Sequence, residues 1–246
     1  MSEASLLVCG FADEGTGLGG VAWRSGDAGG GLLANGGAVE EASAQLTPQD
    51  DGSVQLTLDA GESRCTVLLS PKAGATALAD GDARPPAGEP SAAICRARVE
   101  LSGAGPKRSL ECLGHLTRWD EDPLPGAELV RHLAIPAPDG GLLVLVGRGE
   151  PGGSGHDAEQ YGAWILDGEG GARPFAEALL STQYDEAGRQ TRAGLELWPV
   201  GAEAPPMRAA GTVLGEAAVR DGVQAALLES SAEGFAGRGS YLIWRP

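Results

Sequence analysis

The feature that most constrains the fold is a two-residue alternation of apolar and polar side chains, repeated in short segments between glycine turns. In Ser53-Val54-Gln55-Leu56-Thr57-Leu58-Asp59 the apolar side chains share one face. Ile94–Leu101 does the same, with Cys95, Ala97, Val99 and Leu101 opposite Arg96, Arg98 and Glu100. A period of two places successive side chains on opposite faces, the pattern of half-buried antiparallel sheet. Further strands are predicted at Leu6–Phe11, Gly20–Arg24, Cys65–Ser70, Leu110–Trp119, Leu129–Ile135 and Leu142–Arg148. The second half continues with Tyr161–Leu166, Leu195–Trp198, Met207–Leu214, Val223–Glu229 and Ser240–Trp244. Turn dipeptides punctuate them: Asn35-Gly36, Asp51-Gly52, Asp139-Gly140, Asp167-Gly168 and Asp221-Gly222. About a dozen short strands with short connections predict an all-β fold of barrels or sandwiches, with few or no helices. The Ala/Glu-rich stretches Ala38–Leu46 and Phe175–Thr182 read equally as single helical turns or edge strands.

Composition narrows the partners. The 246 residues carry a formal net charge of −16, which opposes a nucleic acid or an anionic membrane surface. It favours a neutral or cationic ligand at long range. Hydrophobic residues make up 42% of the chain, enough for a full core. The four cysteines, Cys9, Cys65, Cys95 and Cys112, show no C-x-x-C spacing, so no zinc or redox site is predicted. No apolar run reaches membrane-spanning length, and Met1–Ser5 has no basic leader character, so the expected location is the cytoplasm.

Ala79–Pro90, with Pro85-Pro86, is predicted as a loop, and Asp120–Gly126 as a joint near the midpoint. Around that joint the sequence repeats weakly. Gly20-Val21-Ala22-Trp23 parallels Gly162-Ala163-Trp164, and Glu41-Ala42 parallels Glu177-Ala178. Gly114–Trp119 parallels Gly239–Trp244. The shared order predicts two halves, 1–122 and 123–246. In that register Trp23 and Trp164 begin the second strand of each half, while Trp119 and Trp244 close the halves. With Trp198 they serve either as core or as the walls of an apolar pocket.

Nucleotide and hydrolase motifs are absent in substance. Gly15-Thr16-Gly17-Leu18-Gly19-Gly20 spells G-x-G-x-x-G, but the strand-like Val21-Ala22-Trp23-Arg24 follows where a dinucleotide site needs a helix. The glycine-rich Gly147–Gly155 lacks the P-loop lysine, and Ser154-Gly155-His156 breaks the nucleophile elbow. Three histidines, His115, His132 and His156, have no metal-ligand spacing. Neither cofactor nor metal is predicted. The segment richest in chemistry is His156-Asp157-Ala158-Glu159-Gln160-Tyr161. Alternation puts Glu159 and Tyr161 on one face, where burial in an apolar cavity suits proton transfer. The competing reading is a solvated loop leading into a packed strand.

The stretch Gly153-Ser154-Gly155-His156-Asp157-Ala158-Glu159-Gln160-Tyr161-Gly162 and the closing Gly237-Arg238-Gly239-Ser240-Tyr241-Leu242 resemble the tandem-lipocalin proteins, which include carotenoid hydratases and Diels–Alderase-like cyclases. The His156-Asp157 order is reversed relative to that family's Asp-His, and Tyr161 stands where Trp is common. The resemblance implies two lipocalin-like barrels and a pocket for a small hydrophobic molecule. The residues expected to carry polar chemistry are Tyr161, Glu159, His156 and Asp157. Those expected to line the pocket are Trp23, His115, Trp119, Trp164, Tyr241 and Trp244. Three functions remain open on sequence: catalysis of a redox-neutral hydration, isomerisation or cyclisation, a non-catalytic carrier, or a protein-interaction module with filled barrels.

Overall fold

The computed structural model describes residues 6–13, 18–25, 30–34, 37–39, 43–60, 62–78, 88–103, 106–153, 156–201, 205–219 and 222–245. The first half contributes β1 (Leu6–Asp13), β2 (Leu18–Ser25), β3 (Gly30–Ala34), β4 (Gly37–Val39) and β5 (Ser43–Pro48). It continues with β6 (Val54–Ala60), β7 (Ser63–Pro71), β8 (Thr76–Ala77), β9 (Ser91–Ser102) and β10 (Arg108–Trp119). The second half contributes β11 (Leu129–Ala137), β12 (Gly141–Gly149), β13 (Glu159–Leu166) and β14 (Ala172–Tyr184). It ends with β15 (Gln190–Pro199), β16 (Met207–Val219), β17 (Val223–Ala232) and β18 (Phe235–Trp244). Phe175–Thr182, ambiguous in sequence, lies inside β14. Much of the predicted 79–90 loop, Asn35-Gly36 and Glu41-Ala42 fall outside the described residues.

All pairings are antiparallel. The first sheet runs β4-β3-β2-β1-β10-β9-β7-β6-β5, with β8 added beside β9, and curls until β3 approaches β5 and β6. The second closes completely, β11 through β18 in order with β18 returning to β11. Closure removes the exposed edges that an open sheet must protect. The Asp139-Gly140 turn behaves as its sequence predicts. Both residues have positive φ, 59° and 69°, the geometry of the mirror-image turn that matches strand twist between β11 and β12. No helix of the described residues is long and apolar enough to cross a membrane.

In both halves the last strand pairs with the first: Leu6 lies opposite Trp119 on β10, and Val130 opposite Trp244 on β18. Gly114–Trp119 and Gly239–Trp244 therefore occupy equivalent places. The proposed match of Trp23 with Trp164 does not hold, because Trp23 lies on the second strand of its half and Trp164 on the third strand of its own. Abundant Gly and Ala make short matches cheap, and this one is offset by a whole strand.

Three apolar cores follow from the alternation. Leu7, Cys9, Leu56, Val67, Cys95 and Val99 fill the curled sheet, and Leu133, Leu145, Leu195, Leu197 and Leu228 fill the barrel. The third core joins the halves. Leu6, Val8, Trp23 and Trp119, on the outer face of the first sheet, meet Val130, Val144, Trp164, Leu242 and Trp244 on the barrel wall. A buried Trp removes roughly 150–250 Å² from water, worth several kcal/mol at about 25 cal/mol/Å². The four interfacial Trp rings thus bind the halves tightly. The thiols of Cys65 and Cys95 are pushed up to about 12 by burial and behave as small hydrophobes.

This third core is partial, and its boundary creates the site. Ala92–Cys95 on β9 are buried on both faces, but from Arg96 onward every second residue is open to solvent. On β10 the order reverses: alternation rules up to Gly114, and His115, Leu116 and Thr117 are buried together. Both strands lie against the barrel at one end and diverge from it at the other, leaving a wedge of space.

Candidate functional site

The wedge is a cleft of about 870 Å³ between the first sheet and the barrel wall. Its sheet side carries Ile94, Arg96 and Arg98 of β9, Leu113 and His115 of β10, and Gly10 and Ala12 of β1. The barrel side carries Pro136, Leu142, Leu227, Arg238 and Ser240. Most of the wall is apolar, with a few polar groups, the composition expected of a small-molecule pocket.

His115 sits where the cleft narrows into the interfacial core. Its ring is 8% exposed, and its Nε2 shares a hydrogen bond of 3.1 Å with Ser240 Oγ on the barrel's closing strand. The equivalence of Gly114 with Gly239 makes His115 and Ser240 topological counterparts, so the bond crosses between matching positions of the two halves. Gly10 makes room for the ring. It pairs with His115 across the strands, and a Cβ built on it would stand 2.2 Å from Nε2. Six ångströms away lies the His132 ring (centroid separation 6.0 Å), whose Nε2 bonds Thr117 Oγ1 at 3.0 Å, again from one half to the other. Trp119 packs edge-on against both His132 and Trp244.

Burial penalises the imidazolium, so His115 is pushed down to about 4. His132 is held well below the ordinary imidazole range by burial and by His115 beside it. Both rings are neutral near pH 7. The Nδ1 atoms of both are buried and make no hydrogen bond among the described residues. A neutral imidazole on the wall of an apolar cleft offers one hydrogen-bond donor and one acceptor.

A second polar cluster lies elsewhere. Arg131, on the inward-facing parity of β11 with Leu133 and Ile135, forms a bidentate pair with Glu159 at 2.5 and 2.7 Å, and donates to the Tyr241 hydroxyl. Tyr161 donates to Glu159 at 2.7 Å, and its hydroxyl also lies 2.7 Å from His156 Nδ1. His156 Nε2 reaches Thr182 Oγ1 at 2.8 Å. The side chains of Arg131 and Glu159 are 6% and 4% exposed. Burial pushes the Glu159 carboxyl up, but the hydrogen bonds from Arg131 and Tyr161 outweigh it and the carboxyl stays below its ordinary range. Burial and the neighbouring carboxylate keep Tyr161 a phenol, raised well above the usual range. The cluster lies near one end of the barrel, and its strongest groups satisfy one another. Arg131 stands six residues along β11 from Ala137 at the cleft, roughly 20 Å at 3.3 Å per residue.

The structure thus gathers Tyr161, Glu159, His156 and Tyr241 into the barrel-end cluster and places His115 in the cleft. The Asp157 side chain lies outside the described residues. Trp23, Trp119, Trp164 and Trp244 lie in the interfacial core rather than on the cleft wall. Sequence reading missed Arg131, though a charge on the same parity as Leu133 and Ile135 marks an inward-facing ion. It also missed Arg96, read only as the polar face of its strand, and Leu113 and Arg238.

No family model matches the sequence, and no curated protein matches it either. Solved structures do. A Nitrosomonas europaea protein provisionally assigned as AttH is 14% identical with a TM-score of 0.71, covering 97% of this chain and 90% of that one. Kievitone hydratase from Nectria haematococca is 9% identical with a TM-score of 0.56, covering 98% and 88%. CghA, solved alone and with Sch210972, gives TM-scores of 0.59 and 0.55 at 13% and 12% identity, again covering 98% and 88%. The likeness runs through both halves, and the fold is that of the two-barrel, tandem-lipocalin proteins.

Proposed function

We propose that this protein binds a hydrophobic small molecule in the cleft between its two halves. The observation that carries the proposal is the cleft itself, about 870 Å³ with walls of Ile94, Leu113, Pro136, Leu142 and Leu227. That volume lies within the roughly 300–1,000 Å³ of ordinary ligand pockets. Kievitone hydratase, which shares the fold, is named for a hydration, and CghA was solved with Sch210972. Both support a small-molecule role for such an architecture.

Catalysis is a second reading, favoured by His115. A neutral imidazole held by Ser240 at the narrow end of an apolar cleft can hydrogen-bond a substrate hydroxyl or carbonyl and so orient it for a hydration or isomerisation. The test begins with thermal shifts against a panel of apolar metabolites. Stabilisation by a compound that binds one-to-one, and is lost in Leu113→Trp, supports the cleft. Stabilisation that is undiminished in Leu113→Trp rules the cleft out. Turnover lost in His115→Gln while affinity persists supports catalysis, and unchanged turnover removes His115 from it.

A further inference from the structure

Among the described residues, the cleft lining carries more arginine than carboxylate, in a chain that is strongly negative. The charged lining residues among those described are Arg96, Arg98, Arg238 and Glu111, three guanidinium groups against one carboxylate, whereas the whole chain carries −16. The arginines differ in how well they are satisfied. Arg98 is paired with Glu100 at 3.1 Å and has Glu111 as its cross-strand neighbour. Arg96 lies between Leu113 on β10 and Ser70 on β7, with no acidic partner among the described residues. Arg238 approaches the exposed Glu229 only at 4.0 Å, and its buried Nη1 makes no hydrogen bond among the described residues. A buried guanidinium nitrogen without an acceptor costs free energy, which an anionic partner would recover.

Register places these groups around one floor. Arg96, Leu113, Ala12 and Gly19 form a single row across β9, β10, β1 and β2. The stem of Arg238 lies over the far end of that row, where a Cβ on Gly19 would stand 3.4 Å from its Cγ. One guanidinium therefore rises from each end of a floor made by Leu113 and Ala12. Ile94, Leu142 and Leu227 line the deeper, apolar part.

Building on the cleft reading, we propose that the ligand is an amphipathic acid: its carboxylate pairs with Arg238, supported by Arg96, and its apolar body lies on Leu113 and Ile94. A planar guanidinium matches a carboxylate with paired donors, and such charge-assisted bonds are the strongest a neutral-pH pocket offers. The acidity of the whole chain does not oppose this at contact. At physiological ionic strength charges beyond about 8 Å are largely screened.

The test compares two matched pairs of probes, decanoate with decanol and retinoate with retinol, by isothermal titration. The titrations use the wild-type chain and the Arg238→Gln, Arg96→Gln and Leu113→Trp variants. The proposal expects each acid to bind about tenfold more tightly than its alcohol, the effect of one charged hydrogen-bonded contact. It expects that preference to shrink in Arg238→Gln and in Arg96→Gln, with alcohol affinity unchanged. Equal affinities for acid and alcohol, both lost in Leu113→Trp, overturn the acid preference but keep the cleft. A preference that survives both arginine variants also overturns it. If no probe binds, or Leu113→Trp changes nothing, the cleft reading falls as well.

Discussion

Acidification should loosen this protein well before its carboxylates protonate, and the two interfacial histidines set the size of the effect. His115 is neutral in the folded chain and pushed down to about 4 by burial, whereas an unfolded histidine titrates near 6.5. A group whose folded pKa is depressed contributes stability that is present above the unfolded value and is lost as pH falls toward the folded one. Between those values the unfolded state binds the extra proton, so stability falls by about 1.4 kcal/mol per pH unit for each histidine. Integrated from about pH 7 to about pH 5, His115 alone removes roughly 2 kcal/mol. His132, held low by burial and by His115 beside it, acts in the same direction and adds to the loss. The carboxylates held low by partners, such as Asp167 and Asp185, lose their contribution only beneath the ordinary carboxylate range, so the window is separate. Urea denaturation at a series of pH values reads the slope directly. The double variant His115→Gln with His132→Gln should flatten it, whatever its stability at neutral pH. An unchanged slope in that variant would refute the reasoning.

Three further outcomes follow from single contacts. Gly10→Ala should cost about 1–3 kcal/mol by overpacking, because the new methyl meets the His115 ring, and thermal unfolding measures it. Glu159→Gln leaves the buried Arg131 guanidinium without its counter-charge and should cost roughly 3–5 kcal/mol. Adding Arg131→Met to that variant should recover part of the loss, and a double variant no more stable than the single one contradicts the ion-pair account. Leu113→Trp, at a side chain 50% exposed, should move the unfolding midpoint little, within about 0.5 kcal/mol, while obstructing the cleft.

Period-two alternation located the strands because each buries one face, and that rule is local. Strand β9 shows where a local rule stops. Arg96 and Arg98 read as the wet face of a half-buried strand, which they are, but nothing in their spacing says that a barrel wall stands opposite them. The cleft is the gap between two surfaces that diverge, a relation between β10 and β18 separated by more than a hundred residues in sequence. The glycines illustrate the same limit. Gly10 seats the His115 ring, and Gly147 seats the ring of its cross-strand partner Tyr161, with Cβ approaches of 2.2 and 2.7 Å. Each glycine falls within a predicted strand, where nothing in the sequence shows that it accommodates an aromatic neighbour on another strand. The Trp residues were legible as large apolar groups needing burial. That they would seal the interface between the halves, rather than line a pocket, depended on which faces meet.

The most direct measurement of the central claim is native mass spectrometry of the protein purified gently from its own host, beside the Leu113→Trp variant, with denaturing extraction of whatever is bound. The account predicts a one-to-one apolar adduct on the wild-type chain that is lost from the variant. A wild-type chain that carries nothing, or an adduct undiminished in Leu113→Trp, would contradict it.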